Sequence, residues 1–288
     1  ESIKGSSMVE KPFKGRVEGK VVIVVGASRG IGEGIARDFA NEGARVAMVC
    51  SRTLDRAQEI AEEMNRQYGA GTAIGIQADS TDEEAVKNMI EKTAEVFGGI
   101  DILVYSAGIV RSGSVKTMSL EGFELVTKVN YTGYFLCVKH VARVMAEQHK
   151  RDPSRMMDII QINSKSGLEG SSRNAAYAGS KFGGIGLTQS FALELLQDGI
   201  KVNAICPGNY FDGPLWSDLK NGLFVQYLKA GKVPGAKTIE DVRRYYESKI
   251  PMGRGCTIRD IMHAIYYVIE QPYETGQAIP VTGGQVME

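Results

Sequence analysis

From Lys20 onward, short apolar β-branched runs alternate with longer stretches whose apolar positions recur every three or four residues. The first kind has the composition of strands buried on both faces, the second that of amphipathic helices. Strands are predicted at 20–27, 44–50, 72–79, 101–108, 156–164 and 200–208, with a last short one at 277–284. Helices are predicted between them at 30–42, 54–68, 82–97, about 121–149 and about 175–198. In the helix at 82–97, Ala85, Met89, Ile90, Ala94 and Phe97 mark the apolar positions. This alternation predicts an α/β fold, a single Rossmann-type doubly wound parallel sheet of about seven strands with helices on both faces.

Residues 209–250 break the rhythm. They are aromatic, punctuated by Gly and Pro, and too long for an ordinary connection. An insertion after the carboxyl end of a strand lies over the ligand crevice of such a sheet, so the segment is expected to be a substrate-covering lid rather than a second domain. Trp216, Phe224, Tyr227, Tyr245 and Tyr246 are expected to pack it. Residues 1–18 lack an apolar signal core and read as a flexible extension, with Met8 a candidate native start after residues 1–7. One domain is then expected over 19–288.

Composition narrows the partners. Lys+Arg and Asp+Glu are both 34, so no basic excess points to nucleic acid. No apolar run reaches the roughly 18 residues of a membrane span, and a cytoplasmic setting with a small-molecule partner is expected. Cys50, Cys137, Cys206 and Cys256 form no CxxC pair and no zinc spacing, so no metal is expected. Three of them sit in apolar runs and read as buried thiols.

The segment VVGASRGIG joins the first strand to the first helix, with Gly26, Gly30 and Gly32 spaced GxxxGxG. Glycines there permit a tight turn and close approach to a pyrophosphate, which the helix N-terminus would bind through its N–H groups. Ser28, Arg29 and Ile31 complete this candidate dinucleotide loop. About twenty residues on, where an acid usually meets the ribose of NAD, stand Cys50, Ser51 and Arg52, with no carboxylate before Asp55. Arg29 and Arg52 could grip a 2′-phosphate, which favours NADP(H); the alternative is that both are solvated surface charges. Asp79 either meets the adenine or caps the helix that starts near Asp82.

Tyr177 and Lys181 stand four apart on one predicted helix and share a face. A neighbouring ammonium favours the phenolate and brings a tyrosine toward the working range of an acid–base group. Ser164, at the end of the fifth predicted strand, is placed to hold a substrate oxygen beside the phenol. Together with a nicotinamide dinucleotide, this set suits interconversion of an alcohol and a carbonyl.

The ordered set GASRGIG, YSAG, KVN, INSKSG, YAGSK and CPG resembles the short-chain dehydrogenase/reductases over roughly residues 18–288. The resemblance implies a catalytic tetrad of Asn130, Ser164, Tyr177 and Lys181, with Asn130 supporting a proton relay. It also implies that Ser106, Ala107, Gly108, Pro207 and Gly208 line the cofactor, and that the chain forms a homotetramer through its two long helices. Tyr105-Ser106-Ala107-Gly108 stands where the family has Asn-Asn-Ala-Gly, and Gly213 where it has a threonine.

Further segments, LVYSAGI, IIQINSKSG and TGQAIPVTGGQVM, resemble the branch that interconverts sorbitol 6-phosphate and fructose 6-phosphate with NAD(H). That branch pulls the cofactor toward NAD(H), against the arginine reading. A sugar phosphate needs cations away from the reacting carbon, and Lys165, Arg111 and Arg173 are the candidates. Lys165 reaches the substrate only if the strand has ended at Ser164, since successive extended residues face opposite ways. The rivals are a related reductase of another carbonyl, such as a free sugar, an oxoacyl thioester or a steroid-like ketone, and a non-catalytic dinucleotide-binding regulator. His140, His149 and His263 fall in helical stretches and are given no catalytic role.

Overall fold

The structure, a computed structural model, describes residues 15–52, 54–220, 222–229 and 231–287. The extension expected at 1–14, with Met8, lies outside the described residues. Seven strands, β1 (Val21–Val25), β2 (Arg45–Cys50), β3 (Ala73–Gln77), β4 (Ile102–Tyr105), β5 (Met157–Ile162), β6 (Ile200–Pro207) and β7 (Ala278–Val281), form one sheet. Its order is β3-β2-β1-β4-β5-β6-β7, and every pairing is parallel. All five residues of β1 are buried because both faces of the sheet are covered. Ile23 and Val25 enter an apolar core with Leu103, Val141 and Met145; Val22 and Val24 enter another with Ile35, Phe39 and Ile265. The chain reverses its winding between β1 and β4, and a crevice opens outside their carboxyl ends.

The helices α1 (Gly30–Asn41), α2 (Leu54–Tyr68) and α3 (Glu83–Phe97) follow the expected spans closely. The helix expected over 121–149 is not continuous. It runs as α4 (Leu120–Thr127), a π-helical turn (Lys128–Thr132) and α5 (Gly133–Arg151). The strands predicted to 108 and 164 end sooner, at Tyr105 and Ile162, which frees the residues beyond them to form loops. Helix α6 spans Ala175–Leu195.

Residues 15–18 belong to the folded body rather than to an extension. Val17 is buried, its N–H donates to the Glu42 carbonyl, and Arg16 pairs with Glu270 at 2.6 Å.

The segment 209–250, expected to be a lid, holds α7 (Pro214–Ser217), α8 (Leu223–Lys229) and α9 (Ile239–Ser248). It packs a small apolar core of its own, in which Phe211, Trp216, Phe224, Val242 and Ile250 are buried and Tyr227, Tyr245 and Tyr246 border them. Helix α10 (Ile258–Glu270) was not among the predicted elements. A capping box of Thr257 and Asp260 starts it, a signal legible in TIRD. No helix of the described residues is long and apolar enough to cross a membrane.

Candidate active site

The glycine loop is compact for a specific reason. Gly26, at φ 86°, presses on the β4 loop so closely that a Cβ would lie 2.7 Å from the Ala107 nitrogen. A Cβ on Gly32 would fall 2.0 Å from the Gly26 carbonyl oxygen. Helix α1 starts at Gly30 with no side-chain cap from Arg29, so no side chain occupies its leading N–H groups. These features fit a pyrophosphate, with Ser28, Arg29 and Ile31 on the same turn. Ser106 and Ala107 of the β4 loop are half-buried and Gly108 is exposed at its tip.

Ser51, Arg29 and Arg52 are exposed, and among the described residues neither arginine is ion-paired. Nearby Arg37 and Arg56 are committed to Glu33. Asp79 does not cap α3; Asp82 does, accepting from Ala85 N at 3.1 Å. Asp79 instead accepts from the N–H and hydroxyl of Thr81, at 2.9 and 2.8 Å. The Thr81 N–H bond, aided by the charges of Lys128 and Arg52, holds its carboxyl below the usual range. Arg52, just past β2, and Asp79, just past β3, thus lie near enough for the one charge to act on the other.

Strand β5 stops at Ile162, and the backbone turns at Ser164, which caps a 3₁₀ turn (Lys165–Gly167) by accepting from Ser166 N at 3.1 Å. The bend on which a role for Lys165 depends is present. Ser164 faces the Tyr177 phenol on the first turn of α6, near enough for its hydroxyl to favour the phenolate. One turn later, Lys181 Nζ donates to the Ile162 carbonyl at 3.0 Å and stands 5.6 Å from the Tyr177 ring centre. Burial pushes the lysine down to about 8.

The expected lowering of Tyr177 by Lys181 is not found in this state. Desolvation is the largest influence on the phenol and raises it, with the Ser164 hydroxyl opposing.

Asn130 lies fully buried in the π-helical turn. Its carboxamide accepts from Ile109 N at 2.8 Å and donates to Ile109 O at 3.0 Å and to Ser180 Oγ at 3.1 Å. Gly108 joins the two halves of the site: a Cβ there would meet Asn130 Oδ1 at 3.6 Å and Lys181 Nζ at 3.8 Å.

Sequence reasoning passed over Asn163. Its side chain accepts the Ser164 N–H at 2.8 Å and donates to the Lys181 carbonyl at 2.9 Å, tying the serine's backbone to the lysine's helix. A buried amide ending an apolar strand was the available signal.

The three cations proposed for a phosphate part company. Gly113 N donates to Arg173 O at 2.9 Å, so Arg173 sits on a loop tied to the one carrying Arg111. Arg173 lines a cleft of about 390 Å³ with Ser112, Gly113 and Lys232 of the lid. Lys165 does not line it; half-buried, it opens the 3₁₀ turn. Arg173 is the one non-glycine described residue with positive φ, 61°. Such strain persists only where surrounding structure enforces it. Pro207 ends β6, and Gly208 follows, its N–H on Val281 O at 2.9 Å. Gly213 starts α7, whose Pro214 leans on Gly30, 3.3 Å from where a Cβ would be.

A parallel sheet with a glycine loop at its winding reversal and a Ser-Tyr-Lys cluster across the crevice defines a dinucleotide-dependent oxidoreductase. The short chain dehydrogenase family model matches residues 20–220, and the chain belongs to that family. It is 40% identical over 271 residues to sorbitol-6-phosphate 2-dehydrogenase of Escherichia coli (strain K12), covering 93% of this chain and 99% of that protein. It is 32% identical to a 3-oxoacyl-(acyl-carrier-protein) reductase of Aquifex aeolicus (strain VF5), over 93% and 98% of the two chains. The crystal structure of sorbitol-6-phosphate 2-dehydrogenase from Erwinia amylovora superposes with a TM-score of 0.83 at 37% identity, covering 93% of this chain and all of that one.

Proposed function

We propose that the protein interconverts a secondary alcohol and a ketone on a sugar-alcohol phosphate, sorbitol 6-phosphate and fructose 6-phosphate, with Tyr177 as general acid and base. The observation that carries the reading is the cluster in which Ser164 and Lys181 flank Tyr177 while Lys181 and Asn130 both border Gly108. A bound nicotinamide dinucleotide supplies the hydride donor or acceptor. Gly26, Ser28, Gly30, Ile31 and Gly32 would hold its pyrophosphate, and Arg29, Ser51, Arg52 and Asp79 its adenosine end. Ser106, Ala107, Gly108, Pro207 and Gly208 would line its other half.

Ser164 orients the reacting oxygen, and Tyr177 passes it a proton during reduction or takes one during oxidation. When the phenol gives up its proton, the nearby ammonium of Lys181 stabilises the negative charge left behind. The Ile162 carbonyl keeps that ammonium in place, and Asn130 supports proton resupply. Arg173 and Lys232, which line one cleft, suit a phosphate; Arg111 and Lys165 are secondary candidates.

The 32% identity to an oxoacyl thioester reductase supports a second substrate reading. Assays of fructose 6-phosphate, fructose and an acetoacetyl thioester with NADH and NADPH separate the two. The first reading expects turnover of fructose 6-phosphate at a KM far below that for fructose, raised at least tenfold in Arg173→Ala/Lys232→Ala. Preference for the thioester overturns it. Tyr177→Phe should lose about 10² to 10⁴ in turnover while binding dinucleotide normally; full turnover by that variant would sink the catalytic assignment.

The protein is further proposed to be a cytoplasmic homotetramer. Exposed Phe135 on α5 and Phe182 and Leu193 on α6 offer apolar surface for such an assembly, which sedimentation would test.

A further inference from the structure

Tyr105 replaces the asparagine with which the family usually starts its loop after β4, and its hydroxyl is not idle. In a continuous α-helix the Gly133 N–H would donate to the Val129 carbonyl. In the π-helical turn that N–H goes to Lys128 O instead. The Tyr105 hydroxyl donates to Val129 O at 2.5 Å, and Ser80 Oγ lies 3.2 Å from the phenol oxygen. Approach this close demands glycine at 133: a Cβ there would lie 2.3 Å from Tyr105 Oη and 3.0 Å from Ser80 Oγ.

The next residue after Val129 is Asn130, whose side chain holds both polar groups of the Ile109 backbone. The segment 105–109 is therefore stapled to two successive residues of the turn, at Val129 by Tyr105, which ends β4, and at Asn130 by Ile109. Gly108, inside that staple, borders Lys181 Nζ.

We propose that Tyr105 is a positioning residue for the reaction site: by taking the carbonyl released at Val129, it holds the π-helical turn that aims Asn130 at the Gly108–Ile109 loop. Its ring is buried against Tyr134, with centroids 5.6 Å apart, so phenylalanine keeps the packing and removes the hydrogen bond alone. The Val129 carbonyl then loses this buried donor, and the turn loosens toward a regular helix. The inference rests on the reading of Asn130 and Lys181 as parts of the reaction site, and its first readout does not need turnover.

Hydrogen-exchange mass spectrometry of Tyr105→Phe should show exchange at least tenfold faster in peptides covering 126–134 and 106–112, with the rest of the sheet unchanged. Turnover of fructose 6-phosphate should fall at least tenfold with KM within twofold, and the pH profile of kcat should shift. Gly133→Ala, which displaces the hydroxyl while leaving Tyr105 in place, should reproduce the pattern and serves as the test if Tyr105→Phe does not fold. Unchanged exchange in both segments overturns the proposal, as does acceleration spread over the whole sheet. If the wild-type protein turns over none of the carbonyls, the functional reading fails, and local exchange alone decides for or against the staple.

Discussion

Lys181 reaches past Tyr177, its ammonium 5.6 Å from the ring centre, and gives its hydrogen bond to the carbonyl of Ile162 at the end of β5. The lysine is thereby fixed to the sheet rather than to the tyrosine, and 4% of it is exposed. Burial works on the pair in opposite senses, raising the phenol and lowering the ammonium. In the free protein below pH 8, both groups keep their protons.

That arrangement has a measurable cost. The Lys181 value falls to about 8 from an ordinary 10.5, so the unfolded chain binds this proton more tightly. Stability then rises with pH through the window between the two values, and the penalty for burying the cation is complete below it. Between pH 7.5 and 9.5 the wild type should gain about 2 kcal/mol relative to Lys181→Met. Urea midpoints of the two proteins at both pH values measure the difference, with other titrating groups cancelling. Parallel shifts would contradict the burial account.

Lys201 of β6 meets Asp158 of β5 at 3.1 Å, both buried, and also donates to carbonyls of Val268, Ile269 and Gln271 at the end of α10. Desolvation outweighs the lysine's attraction and pushes Asp158 up to about 6. A raised carboxyl is most favourable to folding when protonated, so its contribution falls as pH rises through 6. Asp158→Asn should be neutral or stabilising at pH 7.5, whereas Lys201→Met should cost about 3 to 5 kcal/mol by leaving an unpaired buried carboxylate. Chemical denaturation of both variants tests the asymmetry; equal losses would refute it.

The exposed pair Arg29 and Arg52 should act on the dinucleotide's 2′-phosphate and on little else. Arg29→Ala/Arg52→Ala is expected to raise KM for NADPH about tenfold or more while moving that for NADH less than threefold. Initial-rate kinetics with both dinucleotides decide it. An equal effect on the two would assign the arginines to the shared pyrophosphate or to solvent.

The separate core of the segment 209–250 predicts separate failure. Trp216 packs edge-on against Phe211 and Tyr246 and tilted against Phe224, with centroids 4.9, 5.2 and 5.1 Å away. Trp216→Ala should open 209–250 to limited proteolysis while the urea midpoint of the rest stays within 0.5 M. A collapse of the whole unfolding transition would show that the lid core is continuous with the sheet.

Much of this was legible in the chain, because period and punctuation are local. Apolar runs without alternation announced strands covered on both faces, and the glycine trio before α1 marked the turn at the winding reversal. The four-residue spacing of Tyr177 and Lys181 already put them on one helical face. Other features have no local signature. The π-helical turn inside 121–149 shows in the chain only as a polar interruption at Asn130, since the groups that hold it are a hydroxyl on β4 and a glycine at 133 that lets it approach.

The sequence by itself determined the strand-and-helix rhythm, the glycine loop before α1 and the shared helical face of Tyr177 and Lys181, all of which rest on residues close in the chain. Tertiary structure alone decided that Lys181 hangs on Ile162, that Asn163 orients Ser164 and that Tyr105 holds the turn carrying Asn130. It also decided that Arg173 shares a cleft with Lys232 rather than with Lys165. Each is a contact between segments whose partners the packing of the sheet selects. Hydrogen bonds and charges act over a few ångströms, so their pairing exists only once the fold has brought those segments together.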